Sequence, residues 1–354
     1  MEGSEATCDF AEKLEKVFSG TFTSLGIITG LEVGLFDILS NFKEPKSYIE
    51  IAEKGGLKPR YVKELLGCMT SAGIVKIDPE NEKYYLPENH RKFFDKSKSE
   101  SYIVQYMELL PTLCTLREKV AKCYPIDGPK GVSPEQYKCF ASHMSKVSAV
   151  YVNRQLLSYI NQVDGLTHML ESGVECLDLA CGTGHTTVIM AERFLHSKFI
   201  GGDFMAEQLS VGRDIANSRN LTNITLQQFN VENLPQEWTE RFDFVLCHYA
   251  IHDLSNPKKG LKEFRRVLKT SGIGLIADVN MHSKHSGNVN NHVASMEYGF
   301  SEVHCMPASL SFDDGWGLGA GWGVEYATQF IESCGFEVKM IESGKTVLYI
   351  VKTK

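Results

Sequence analysis

An apolar run that passes straight into a glycine turn constrains this chain more than any other feature. Residues 174–184 read Val-Glu-Cys-Leu-Asp-Leu-Ala-Cys-Gly-Thr-Gly. Val174, Cys176, Leu177 and Leu179 have the near-continuous apolarity of a strand buried on both faces of a parallel sheet. Gly182 and Gly184 let the backbone turn and approach a ligand, and a helical pattern follows over 183–193. The unpaired N–H groups that open such a helix point above the turn, which makes an anion site for a nucleotide-like cofactor. A second apolar run, Lys198-Phe-Ile-Gly-Gly-Asp203, ends in an acid 19 residues beyond Gly184. A carboxylate there can accept the hydroxyls of a ribose.

The turn is led by an acid, Asp178-x-Ala180-x-Gly182-x-Gly184, in place of Gly-x-Gly-x-x-Gly, and it lies mid-chain. Downstream come Phe229-Asn-Val-Glu-Asn-Leu-Pro235, Arg241-Phe-Asp-Phe-Val-Leu-Cys247, and Phe264-Arg-Arg-Val-Leu-Lys-Thr-Ser-Gly272 running into Ile273-Gly-Leu-Ile-Ala-Asp278. In this order, along 174–280, the segments resemble the motifs of class I S-adenosylmethionine-dependent methyltransferases. The resemblance implies a Rossmann-like α/β domain with a seven-stranded sheet, closed by an antiparallel hairpin from 336–342 and 346–352, and S-adenosyl-L-methionine as cofactor. It puts Asp178 near the methionine amino group, and Ala180, Gly182 and Gly184 in the turn beneath the methionine moiety. Asp203 takes the ribose, Met205 covers the adenine, and Phe204 between them also binds the cofactor. Asn230 holds the adenine amino group, its amide oxygen standing where the family usually has Asp, and Val231 beside it also binds the cofactor. Cys247 and His248 stand beside the cofactor.

Ahead of this domain, residues 10–98 read as an α-rich winged helix. Helical apolar faces run over 27–39, 47–54 and 59–72, and 73–87 gives a strand, a polar turn and a second strand. The third helix carries Lys58, Arg60 and Lys63 only near its start, a poor surface for reading DNA. The layout resembles small-molecule O-methyltransferases whose winged-helix region serves dimerisation and lines the partner's pocket. The predicted organisation is a winged-helix dimerisation domain at 1–98, a helical linker and substrate-lining region at 99–170, and a cofactor-binding methyltransferase domain at 171–354. Linker helices are predicted at 102–110, 113–123, 134–144 and 147–163, with Pro125-Ile-Asp-Gly-Pro129 as the clearest break.

Methyl transfer from a sulfonium is an in-line displacement, so the protein positions the nucleophile, excludes water and removes a proton. After the fourth strand comes Cys247-His-Tyr-Ala-Ile-His-Asp-Leu254. Its His252-Asp253 resembles the His-Asp pair of the winged-helix O-methyltransferases, which implies His252 as general base for a thiol or hydroxyl. Asp253 either orients His252 or caps the helix that begins near Pro257. Residues 280–324 form a long insertion before a helix at 326–334, and such a segment commonly covers a pocket. Its histidines, 282, 285, 292 and 304, have spacings that match no compact metal site, so no metal is predicted. The glycine run around Trp316 and Trp322 reads as a substrate lid, with His304 and Cys305 also lining the pocket. This stretch resembles a subgroup of winged-helix methyltransferases found in mycobacteria and in animals such as nematodes, for which thiol methylation in handling reduced sulfur is one implied activity.

The chain has 354 residues, 43% of them hydrophobic, enough for more than one core, and a net charge of −7 that favours neither nucleic acid nor an anionic membrane as partner. Ten cysteines without a CxxC pair, and no apolar leader or membrane-spanning run, point to the cytosol. The predicted protein is a homodimeric methyltransferase of a small-molecule acceptor. Methylation of a small amine, or a winged-helix regulator that senses the cofactor without transfer, are the alternatives.

Overall fold

A computed structural model describes residues 2–354, with side chains described outside 2–8, 99, 138–139, 141–142, 148 and 151–154. Cys8, Cys139 and the reading of the first residues as lacking a secretory leader lie outside the described side chains. The chain divides into two units, Met1–Leu110 and Pro111–Lys354.

The first unit is mostly helical. α1 (Glu2–Glu32) stops just before Gly34, which adopts φ 71°, and α2 (Leu35–Ser40) follows. The single apolar helix predicted over 27–39 is therefore two, because a left-handed glycine ends a helix readily. α3 (Tyr48–Gly55) opens with a capping box: Glu50 N–H donates to Ser47 Oγ and Ser47 N–H to Glu50 Oε2. α4 (Pro59–Ser71) begins on proline and buries Val62, Leu66 and Met69. β1 (Lys76–Asp78) and β2 (Lys83–Tyr85) pair antiparallel as the predicted wing. α5 (Glu88–Phe94) and α6 (Tyr102–Met107) complete a core in which Phe36 stacks on Phe94 at 3.8 Å between ring centroids.

In the second unit α7 (Leu110–Ala121), α8 (Lys138–Gln162) and α9 (Leu166–Glu171) precede the sheet. Residues 134–144 and 147–163, predicted as two helices, give a 3₁₀ turn at Pro134–Tyr137 and one long helix, since Ser145 and Lys146 do not break it. The chain then runs β3 (Glu175–Leu179), α10 (His185–Arg193), β4 (Lys198–Asp203), α11 (Leu209–Ser218), β5 (Ile224–Gln228), β6 (Phe242–His248), α12 (Pro257–Val267) and β7 (Leu268–Val279). α13 (His292–Val303), α14 (Cys305–Leu310) and α15 (Val324–Ser333) follow, then β8 (Phe336–Ser343) and β9 (Thr346–Thr353). The sheet order is β5-β4-β3-β6-β7-β9-β8, with β9 antiparallel to both neighbours, which is the predicted seven-stranded α/β sheet. The long insertion at 280–324 contains two helices.

Side chains alternate across the strands, so each face gets its own core. Leu177, Leu179, Val245 and Cys247 pack with Phe264 of α12 and Phe330 of α15. Cys176, Phe199, Phe244 and Leu246 pack with Tyr159 of α8, Leu170 of α9 and Met190 of α10. No helix among the described residues is long and apolar enough to cross a membrane.

Candidate active site

From β3 the chain proceeds to β4 and β5 on one side, and from β6 to β7 on the other. The direction of winding therefore reverses between β3 and β6, where a crevice opens beyond the carboxyl ends of the strands. The turn after β3 is held in left-handed backbone at Ala180 (φ 52°), Gly182 (φ 56°) and Gly184 (φ 83°). The two glycines differ in what surrounds them. A Cβ on Gly182 would meet only Gln208 Oε1, at 4.0 Å, whereas on Gly184 it would strike Leu226 Cδ1 at 2.9 Å. Gly182 thus borders open space above the turn, and Gly184 is pressed against the fold.

Two carboxylates frame that space. Asp178 is buried at the end of β3; its Oδ2 accepts hydrogen bonds from Thr186 Oγ1 at 2.5 Å and Thr187 Oγ1 at 2.6 Å, while its buried Oδ1 has no partner. Burial pushes its pKa up to about 6 against the pull of the two hydroxyls, with the charge of Asp203 adding to the rise. Asp203 closes β4, accepting from Gly182 N–H through Oδ2 and from Met205 N–H through Oδ1, both at 3.0 Å, so it ties the two strand ends together. Phe204 is exposed, and Met205 Sδ accepts from Gln208 Nε2. Asn230 is exposed and turns its Oδ1 onto Glu232 N–H at 2.9 Å, leaving one lone pair there for a ligand. Val231 is a core residue.

The end of β6 holds the second cluster. Cys247 is buried, its thiol held protonated by burial and by the charges of Asp178, Asp278 and Asp253. Burial lowers the His248 pKa to about 4, and its buried Nε2 has no hydrogen-bond partner. Tyr249 (φ 52°) turns the chain into a 3₁₀ segment, Ile251–Asp253. His252 is buried there, and its Nδ1 donates to Asp278 Oδ1 at 2.8 Å and Oδ2 at 3.0 Å. Asp278 ends β7, fully buried, and also accepts from Val279 N–H. Asp253 Oδ1 lies 3.5 Å from the other imidazole nitrogen, Nε2. Burial would lower the His252 pKa, but the charges of Asp278 and Asp253 outweigh it and raise it well above the ordinary value. Cys305, buried at the start of α14, contacts both His252 and Asp253, and burial pushes its thiol pKa up to about 12.

Several sequence-based expectations change here. Asp278, not Asp253, orients His252, because the neighbouring strand brings its carboxylate to Nδ1. The helix at Pro257 is capped by Asn256, whose Oδ1 accepts from Lys259 N–H at 3.0 Å, so Asp253 is not its cap. Trp322 is only 6% exposed and packs in the core with Phe330. Trp316, 42% exposed, also leans on Phe330 and donates its backbone N–H to Ser255 O. His304 stacks on Phe140 at 3.8 Å between centroids, with burial lowering its pKa. The insertion does clamp the His252 turn: Gly319 N–H donates to His252 O and Ser309 Oγ to Leu254 O. Asp278, Thr186 and Thr187 are the site residues the sequence reading missed; an acid closing an apolar strand, and two hydroxyls in the first turn after the glycines, are the signals that could have marked them.

Residues 170–332 match the family described as "Methyltransferase domain", and residues 21–96 match the "Rv2258c-like winged HTH domain". The chain is 33% identical over 102 residues to the "Uncharacterized methyltransferase YcgJ" of Bacillus subtilis (strain 168), a match covering 29% of this chain and 39% of that protein. It spans 39% to 61% of the length of the curated relatives it matches. Its fold is similar to that of an O-methyltransferase family protein from Burkholderia thailandensis, with a TM-score of 0.74 and 12% identity over 97% of this chain and 98% of that one. It is also similar to human N-acetylserotonin methyltransferase, solved in complex with SAM, with a TM-score of 0.69 and 13% identity over 97% of each chain.

Proposed function

We propose that this chain, a methyltransferase domain behind an Rv2258c-like winged helix-turn-helix domain, moves the methyl group of S-adenosyl-L-methionine to a small-molecule thiol or hydroxyl, with His252 taking the acceptor's proton. One observation carries the reading: the His252–Asp278 pair stands at the same edge of the sheet as the acid-flanked glycine turn, across the β3–β6 crevice. The residues present fit the cofactor. The partnerless Asp178 Oδ1 suits a cationic amino group, Gly182 borders space for the methionine moiety, and Asp203 retains lone pairs for a ribose. The reading assigns Phe204, Met205 and Asn230, which follow the ends of β4 and β5, to the adenine, and His248, at the end of β6, to the cofactor's surroundings.

Bound S-adenosylmethionine supplies an electrophilic methyl carbon on a sulfonium, whose carbon–sulfur bonding pair leaves with sulfur as the acceptor's lone pair forms the new bond. The protein's residues do the rest. Asp278 holds the His252 N–H at Nδ1, which leaves Nε2 as the proton acceptor once the ring is neutral; because the carboxylates raise its pKa, the neutral ring and with it the transfer gain from rising pH. α14 and the glycine run hold the 251–254 turn through Ser309 Oγ on Leu254 O and Gly319 N–H on His252 O, and burial of the imidazole strengthens these interactions.

The winged-helix unit supports a homodimer. Phe10, Leu14, Val17, Phe18, Phe22 and Leu25 recur at helical spacing along α1, and each is 43–67% exposed, the pattern of a helix face that pairs with a second copy. On α4, Arg60 is paired with Glu64 and Lys63 lies over the Tyr48 ring, which leaves little basic surface for DNA. Scattered cysteines, none in a CxxC pair, support a cytosolic protein. The test is incubation of the purified chain with methyl-labelled S-adenosylmethionine and a panel of small thiols, phenols, carboxylates and amines, read by mass spectrometry. A methylated thiol or hydroxyl product is expected. Label appearing only on an amine would overturn the acceptor class, and cofactor binding with no product from any member of the panel would overturn the small thiol or hydroxyl acceptor in favour of another acceptor or a sensor.

A further inference from the structure

The histidine spacing of 280–324 predicts no metal site, but the fold builds a donor set from two separate segments. Among the described residues, His252, Asp253 and Cys305 bring a nitrogen, an oxygen and a sulfur donor within 4.8 Å of one another. We propose that this triad holds one divalent cation of the zinc class. The donor types suit such an ion: imidazole, carboxylate and thiolate are its usual ligands, and three of them leave one tetrahedral position open.

Three features of the surroundings point the same way. The Nδ1–H of His252 is committed to Asp278, which turns the Nε2 lone pair towards the triad; a carboxylate behind the imidazole is the usual outer support of a metal-bound histidine. Asp253 Oδ1, the atom nearest Nε2, is shielded from solvent and makes no hydrogen bond of normal geometry. Such an atom in a dry setting favours a cation. The Asp253 side chain as a whole is 37% exposed, so an ion has a route in and the carboxylate has freedom to move. Donors around one tetrahedral zinc stand about 3.3–3.8 Å apart at metal–ligand distances of about 2.0–2.3 Å, so the triad needs to contract by only about 1 Å.

The site overlaps the proposed proton acceptor, and this consequence alone rests on the methyl-transfer reading. A cation coordinated by Nε2 takes the lone pair that the acceptor's proton needs, so bound cation and proton transfer exclude one another, and the ion inhibits.

Cobalt(II) is the probe. Added to the metal-stripped full-length chain without cofactor or acceptor, it is expected to raise a near-ultraviolet thiolate-to-cobalt band that saturates at one ion per chain and is bleached by zinc. Cys305→Ala should abolish the band, while Cys114→Ser, at an exposed cysteine, should keep it. Asp278→Asn, which spares all three ligands, should weaken cobalt binding by about 10–100-fold. Asp253→Asn, at a partly exposed position, should weaken it as well. No band in the wild-type chain, or a band that survives Cys305→Ala, would overturn the site. Because this binding is read without any methyl transfer, its failure leaves the proposed reaction standing. Conversely, absence of methylated product leaves the cobalt result intact. Zinc that binds yet leaves transfer unchanged would overturn the inhibition.

Discussion

Asp178 carries the main electrostatic tension of the site. Its pKa rises from 3.8 to about 6 because it is buried with only two hydroxyls for partners. With the folded value above the unfolded one, the favourable contribution is fully present below pH 3.8 and is lost as pH climbs through 6, a change of about 3 kcal/mol at 1.36 kcal/mol per unit. The protein without ligand should therefore lose stability across that window relative to Asp178→Asn, as read by denaturant titration at a series of pH values. A cationic amino group reverses the balance, so S-adenosylmethionine affinity should rise with pH through the same window. Asp178→Asn should flatten that slope and weaken binding at pH 7 by about 10–100-fold, the worth of a hydrogen bond to a charged group, measured by calorimetry. Affinity that stays independent of pH in the wild-type chain contradicts this role. Asp178 and Asp203 were legible in the sequence because each closes an apolar strand next to a turn. Asp278 closes one too, but its partner is 26 residues away and meets it only through the pairing of β6 with β7.

At the level of elements, the strand–turn–helix around 174–193 works because its two glycines have separate duties. Gly184→Ala forces a methyl into Leu226 at a left-handed position, so it should destabilise the fold by about 1–3 kcal/mol, seen as a lower melting temperature. Gly182→Ala meets no neighbour closer than 4.0 Å and projects into the space above the turn. Its melting temperature should fall less, while cofactor affinity falls more. Equal thermal losses in the two variants would remove the distinction. The turn, strands and wing were readable because short-range patterns dictate them. The insertion was not: its alternating glycines suggest a substrate lid, yet Gly315, Gly317 and Gly323 are pressed against the Ser309 backbone, Leu310 and Ser283 respectively, and Trp322 drops into the core. Which apolar residues go inward from such a segment depends on the sheet beneath it, and no local periodicity records that. The length of α1 was also missed, since its glycines and threonines weaken the helical signal while Thr21, Thr23 and Ser24 bond back onto the preceding turn.

For the molecule as a whole, the apolar face of α1 predicts association. Phe18→Glu combined with Phe22→Glu should convert a dimer to a monomer in light scattering while each unit keeps its melting transition; an unchanged mass would refute this face as the interface. The cofactor cradle, the His252–Asp278 pair and the clamping insertion come from segments spread over 140 and more residues, and their joint purpose is the central claim. Its most direct measurement is single-turnover transfer from S-adenosylmethionine to the best thiol or phenol acceptor, comparing the wild-type chain with His252→Ala at equal cofactor occupancy. The account predicts that cofactor affinity is nearly unchanged and that transfer slows by about 10²–10⁴-fold. Equal single-turnover rates in the two proteins would contradict it and leave His252 a buried structural residue.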